Sequence, residues 1–226
     1  MKNSVTVTFM LTGILFTACL IIANIIAVKI VEVGPLALPA SILIFPVTYI
    51  LNDVIAEVWG FKKARLIIWS GLAMNALMAL FFWLSIVLPS ASFWGDQEPY
   101  ARILGSTPRL VAASFAAYLT GSFLNAFVMS RMKVFHKGKH FGVRAVLSTV
   151  VGETADSFIF ITVAFLGIFE PNALLLMIGT QVVLKTLYEI IALPVTSRVV
   201  KWFKRIEGVD VFDTSVSYNP FKVKEV

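Results

Sequence analysis

A single cysteine, Cys19, sits inside the first apolar run, so the chain has no second thiol for an internal disulfide or a redox pair. Histidine is almost as scarce: His136 and His140 share the stretch FHKGKH with no Asp, Glu or Cys beside them, which disfavours a metal centre there. No G-x-x-x-x-G-K-[ST], H-E-x-x-H, G-x-G-D or G-x-S-x-G sequence occurs, so ATP hydrolysis by a P-loop and intramembrane hydrolysis both lack their motifs. No catalytic residue is assigned and no cofactor is expected. Gly/Ser/Pro-rich linkers are missing too, which makes one bundle the economical organisation. Charge is thin, at 14% of residues where soluble domains carry about 25%. What fills the chain instead is 58% hydrophobic residues and a mean hydropathy of +0.87, the composition of an integral membrane protein.

Crossing ~30 Å of hydrocarbon at 1.5 Å per residue takes about 20 apolar residues. Six stretches qualify: 5–30, 36–60, 65–89, 109–130, 146–169 and 173–203, punctuated by Gly34 and Pro35, Gly60, Pro89, Gly138 and Pro171. The first, from Val5 to about Val28, exceeds the roughly 7–15 residues of a signal-peptide core and is expected to stay as a span. The expectation is an all-α membrane protein, a six-helix transmembrane bundle over 1–205 followed by a tail, 206–226. Basic residues cluster in alternate loops: Lys62, Lys63 and Arg65; Arg131, Lys133, Lys137, Lys139 and Arg144; Arg198, Lys201, Lys204 and Arg205. The positive-inside bias puts both termini and the tail in the cytoplasm, and accounts for the net charge of +6 as a topology signal, without nucleic acid. Most of the five tryptophans fall near span ends, where interfacial anchors belong.

Against this background the acids are out of place. Span two carries Asn52, Asp53 and Glu57; span five carries Glu153 and Asp156 in VVGETADSFIF; span six carries Lys185, Tyr188 and Glu189. Residues three or four apart share a helix face, so each set forms a stripe, and span four adds Tyr118, Ser122, Asn125 and Met129 at the same spacing. Four polar stripes imply one shared interior. Glu153 and Asp156, nine and twelve residues beyond Arg144, fall roughly 13–18 Å into the membrane, near its midplane. Asp53 and Glu57 lie nearer the cytoplasmic face, where Glu57 also reads as interfacial. An ionised residue at a helix centre costs about 2.5–3.5 kcal/mol, so Glu153, Asp156, Lys185 and Glu189 unpaired would cost on the order of 10 kcal/mol, comparable with the stability of a whole fold. Pairing of Lys185 with Glu189, Glu153 or Asp156 would offset part of it, and a purely structural salt-bridge network is the alternative. Five carboxylates against one intramembrane cation nevertheless leave an excess of negative charge that calls for water or protons. Such a cavity suits cations or neutral molecules rich in N–H donors, with Phe158, Phe160 and Tyr188 as candidate stacking faces.

The ordered motifs LNDVIAEVWG, YLTGSFLNAFVMSRMK, RAVLSTVVGETADSFIF, LKTLYEIIALPVTSRVVKWFK and a tail ending in YNPF resemble the VUT family of queuosine precursor transporters. The resemblance runs from span two to the tail. It implies a six-helix inner-membrane importer of 7-deazaguanines, the cyano and aminomethyl forms used in tRNA modification, with a fold resembling the substrate-binding component of energy-coupling-factor transporters. Carried over by motif, it points to Asn52, Asp53, Glu57, Ser122, Asn125, Glu153, Asp156, Lys185 and Glu189 as site residues; the residues themselves add Tyr188. Trp59 stands where the family pattern often has Tyr. Expected partners are a nucleobase-like small molecule and the lipid bilayer, with a homodimer left open. The rivals are a transporter for another nucleobase or vitamin, and a capture subunit docking an ATPase-bearing partner through the small-residue face of Ala23 and Ala27.

Overall fold

The computed structural model describes residues 5–33, 36–105 and 108–222. In order come helix α1 (Val7–Ile26), strands β1 (Ile30–Val33) and β2 (Leu36–Pro39), a short 3-10 turn (Ala40–Leu43), and helices α2 (Phe45–Val87), α3 (Gln97–Leu104), α4 (Pro108–Phe135), α5 (Phe141–Phe165) and α6 (Pro171–Glu207). Among the described residues, five helical segments are long and apolar enough to cross a membrane: α1, α2, the segment ending in α4, α5 and α6. The protein is thus a helical, multi-pass membrane protein.

Two departures from the expected spans have local causes. Residues 30–39 form an antiparallel hairpin, Ile30 opposite Pro39, rather than the ends of two spans; its turn, with Gly34 and Pro35, lies outside the described residues. Three of the four residues of IVEV are β-branched and favour extended chain, and Pro39 restricts the residue before it to extended conformations; the 3-10 turn follows, and α2 begins at Phe45 with Pro46 in its first turn. The second departure is that spans 36–60 and 65–89 come as the single helix α2. Its 43 residues would reach about 65 Å if straight, twice the hydrocarbon thickness, but Gly60 breaks it with φ 83° and ψ 173°. Only glycine suits that position. Its φ is left-handed, and a Cβ there would stand 2.7 Å from Val211 Cγ1 and 2.9 Å from Asp213 Oδ1.

The core forms where small residues let backbones meet. Gly121 of α4 faces Gly152 of α5 so closely that a Cβ on either would lie 2.9 Å from the other's carbonyl oxygen. Beside this crossing, Ala117, Ala145, Ser148 and Thr149 are buried. Helix α1 lays the stripe Phe9, Thr12, Phe16, Cys19, Leu20 and Ala23 inward, and Asn24 Nδ2 donates to Asn75 Oδ1 at 2.6 Å. Ala23, considered above as a docking face for a partner, is therefore used inside this bundle. Helix α3 is a short amphipathic addition in the loop after α2, held by Tyr100 Oη to Ser85 Oγ at 2.9 Å and by Gln97 Nε2 to the Ile86 carbonyl at 2.9 Å.

The residues after α6 pack back onto the bundle. Val211 N donates to the Val58 carbonyl, Arg65 donates to the carbonyls of Ser217 and Asn219, and Trp69 Nε1 donates to the Pro220 carbonyl. Tyr218 packs between Phe61 and Phe127, tilted against the first and edge-to-face with the second, at 4.9 and 5.0 Å between ring centroids. Asp213 reaches the break in α2, where its Oδ2 accepts from Phe61 N at 2.8 Å and from Ser130 Oγ at 2.5 Å. A carboxylate at the start of a helical run meets exposed N–H groups and the positive end of the helix dipole, so Asp213 caps the second part of α2 from 152 positions away in sequence.

Candidate functional site

Two polar layers occupy the bundle interior. The first is centred on Lys185 of α6, which is 8% exposed. Its Nζ donates to Glu153 Oε2 at 2.6 Å and to Asp156 Oδ2 at 3.4 Å, both across from α5, and lies 4.4 Å from the centroid of the Phe45 ring of α2. Of the pairings open to Lys185, the cross-helix ones form; the in-helix pair with Glu189 does not, because an ammonium shared by two carboxylates of one facing stripe gains more than from a single neighbour on its own turn. Asp53 is fully buried and accepts from Ser148 Oγ at 3.2 and 3.3 Å. Asn52 Nδ2 donates to Asn125 Oδ1 at 2.7 Å and to the Ser122 carbonyl at 3.1 Å, tying α2 to α4.

Several polar atoms of this layer lack a hydrogen-bond partner among the described residues. They are Tyr49 Oη, Asn52 Oδ1, Asn125 Nδ2, Thr149 Oγ1, Glu153 Oε1, Ser157 Oγ and both carboxylate oxygens of Glu189, whose residue is 1% exposed. Buried polar groups are normally satisfied, since leaving one unpaired costs about 1–3 kcal/mol and more when it is charged. Acceptors aimed into one interior from α5 and α6, with a hydroxyl from α2, form a surface that a ligand bearing several N–H donors would satisfy.

The second layer holds Glu57. Its Oε2 accepts from Arg144 Nη2 at 2.8 Å and its Oε1 from Lys204 Nζ at 2.6 Å, while Lys133 Nζ stands 3.9 Å from Oε1 and donates to the Glu57 carbonyl at 2.5 Å. Asp210, from the chain after α6, bridges Lys133 at 2.5 Å and Lys204 at 2.8 Å. Burial pushes the Asp210 carboxyl up, but the hydrogen bonds and charges of Lys133 and Lys204 outweigh it and hold the group below its ordinary value. Sequence reasoning took Arg144, Lys133 and Lys204 as topology signals. The structure buries Arg144 and Lys133 and makes all three partners of Glu57, which reduces the interior imbalance to four carboxylates around Lys185.

The candidates thus separate. Glu153, Asp156, Lys185 and Glu189 come together with Asp53, and Asn52, Ser122 and Asn125 form the adjoining amide contact. Glu57 belongs to the lower network. Tyr188 is half-buried and has no polar contact with the cluster among the described residues. Phe158 is 56% exposed and faces outward, and Phe160 pairs with Phe165 at 6.1 Å. The aromatic residues that do reach the cluster, Phe45 and Tyr49, were missed. Trp59 packs between Phe9 and Phe203, away from it.

Long apolar helices folded around a buried, charged and partly unsatisfied interior define a multi-pass membrane protein. Residues 39–199 match the model of a family described as "Putative vitamin uptake transporter", and the chain belongs to that family of transporters. It is 30% identical over 175 residues to a Bacillus subtilis protein named "Probable queuosine precursor transporter", covering 76% of each chain. It is 28% identical over 129 residues to a Haemophilus influenzae protein of the same name, covering 57% of this chain and 52% of that one. The resemblance read from the motifs is borne out by these matches. No solved structure matches the chain.

Proposed function

We propose that the protein imports queuosine precursors, 7-deazaguanines in their cyano and aminomethyl forms, across the bacterial inner membrane, and that the Lys185 cluster is its binding site. The observation that carries this is the set of unpartnered buried acceptors around Lys185: Glu153 Oε1 and both Glu189 oxygens. A guanine-type edge presents adjacent ring N–H and amine donors, which a carboxylate accepts in bidentate fashion, while its carbonyl suits the Asn125 amide. The names of the two relatives support the same substrate class. The chain acts as a transporter, not an enzyme.

In this reading the chain crosses the membrane six times, α2 contributing two crossings that meet at Gly60, in an arrangement like the substrate-binding component of energy-coupling-factor transporters. Lys62, Lys63, Gly60 and the tail then share the cytoplasmic end, as positive-inside bias requires, and both termini lie there. Residues 1–205 form the transport domain, and 206–226 form a cytoplasmic tail that closes its inner end. Substrate entering from outside exchanges water for Glu153, Glu189 and Asn125, and loosens Lys185 from Asp156. Inward release requires the Glu57 layer to part, since it lies between Asp53 and the tail.

The test is binding of 7-cyano-7-deazaguanine to the purified full chain. Glu153→Gln places an amide against substrate donors and is expected to weaken binding at least tenfold. Binding within twofold of the native protein removes Glu153 from the site, and selective binding of an unrelated vitamin such as biotin would replace the substrate assignment.

A further inference from the structure

We infer that Phe45, with Tyr49 beside it, is the stacking platform of the interior site and restricts it to flat aromatic ligands; the inference rests on the Lys185 cluster being the substrate site, as proposed above. Nineteen phenylalanines make a phenyl ring in this chain unremarkable by itself. Phe45 is distinguished by its neighbour. Its ring lies 4.4 Å from the Lys185 ammonium, the group that also holds Glu153 and Asp156. An ammonium over a ring face is an attractive arrangement, and more so where water is scarce.

The ring is held in place by its surroundings. Phe45 opens α2, Pro46 fixes the backbone of that first turn, and Thr48 Oγ1 donates to the Phe45 carbonyl at 2.6 Å. One helical turn on, Tyr49 tilts against it at 5.9 Å between centroids. The Tyr49 hydroxyl and Asp156 Cβ both press on Gly121, 2.6 and 2.8 Å from where a Cβ on that glycine would stand. That hydroxyl is buried with no partner among the described residues, so Tyr49 brings an unused donor to the cluster.

A flat ring entering between Phe45 and Lys185 stacks on the phenyl group and gives the ammonium a new π face. Neither residue loses its kind of partner on binding. An aliphatic ligand of the same size would take the π face from Lys185 without replacing it. Entry also forces the first turn of α2 away from α6, which couples occupancy of the site to movement of the helix that carries Asp53 and Glu57.

The experiment measures the dissociation constant of 7-cyano-7-deazaguanine, with the ligand-free melting temperature, for the native full-length protein, Phe45→Leu, Phe45→Trp and Glu153→Gln. The expected result is a loss of about tenfold or more in Phe45→Leu and affinity within threefold of native in Phe45→Trp, with the ligand-free melting temperature of both near native. If Phe45→Leu binds as the native protein does while Glu153→Gln does not, the platform is refuted and the carboxylate site stands. Weakening in both Phe45 variants together with matching drops in ligand-free melting temperature assigns Phe45 a structural role and also refutes it. If the native protein does not bind the probe, the substrate reading fails and takes the platform with it.

Discussion

Replacing Glu57 by Gln is the sharpest test of the lower polar layer. The substitution keeps the volume of the side chain, so no cavity forms, and removes only its charge. Arg144, Lys133 and Lys204 would then face one another with Asp210 as the remaining anion. Coulomb attraction at an effective dielectric near 20 amounts to about 4 kcal/mol at 4 Å and about 6 kcal/mol near 2.7 Å, the range of these contacts, but much of it offsets desolvation. Breaking a buried pair by removing one partner leaves a net loss of about 3–5 kcal/mol. At about 2–4 °C per kcal/mol for a chain of this size, the melting temperature should fall by roughly 6–20 °C. The assay is thermal unfolding in detergent at one fixed scan rate, because membrane proteins often unfold irreversibly. Lys204→Met added to Glu57→Gln removes the surplus cation that is nearest the surface, and should recover at least half of the drop. A Glu57→Gln protein melting within 2 °C of native, or a double variant no better than the single one, would refute the charge balance argued here.

Asp213→Ala uncaps Phe61 N at the break in α2; losing an N-cap costs about 1–2 kcal/mol, and hydrogen exchange at residues 60–63 should quicken while that of α5 stays unchanged. Gly152→Ala puts a Cβ 2.8 Å from Asn125 Cβ and 2.9 Å from the Gly121 carbonyl, so the α4–α5 crossing must open; the cost is about 1–3 kcal/mol, and a melting temperature equal to native would show that the contact yields freely. Asp210 has its folded pKa below the unfolded value near 3.9, so its contribution is complete above about pH 4 and disappears as pH falls through the folded pKa. Fluorescence of Trp69, which donates to the Pro220 carbonyl, should therefore report release of the tail in acid, and Asp210→Asn should show the released signal already at pH 7.

The first polar layer was legible in the sequence because burying charge in hydrocarbon is so costly that it rarely occurs without a partner. Glu153, Asp156, Lys185 and Glu189 stood out for that reason, and helical spacing placed them on inward faces. Glu57 was visible as an acid but not as a member of a different network, since its partners Arg144, Lys133 and Lys204 follow the same pattern as topology-setting residues. Phe45 and Tyr49 carried no signal: in a chain this apolar, an aromatic residue at a helix start reads as lipid-facing or core. The hairpin at 30–39 was hidden because a β-branched apolar run satisfies the hydropathy of a span as well as that of a strand.

Composition and hydropathy alone determined that this is a multi-pass membrane protein with a polar interior, because lipid admits only backbone that satisfies itself and charges that find company. The motif order determined the family. Only the tertiary structure decided which carboxylate meets which cation, that Asp213 caps the break at Gly60, and that Phe45 lies over Lys185. Those contacts join residues tens to more than a hundred positions apart, and their partners follow from helix crossings at Gly121 and Gly152 that no local periodicity encodes.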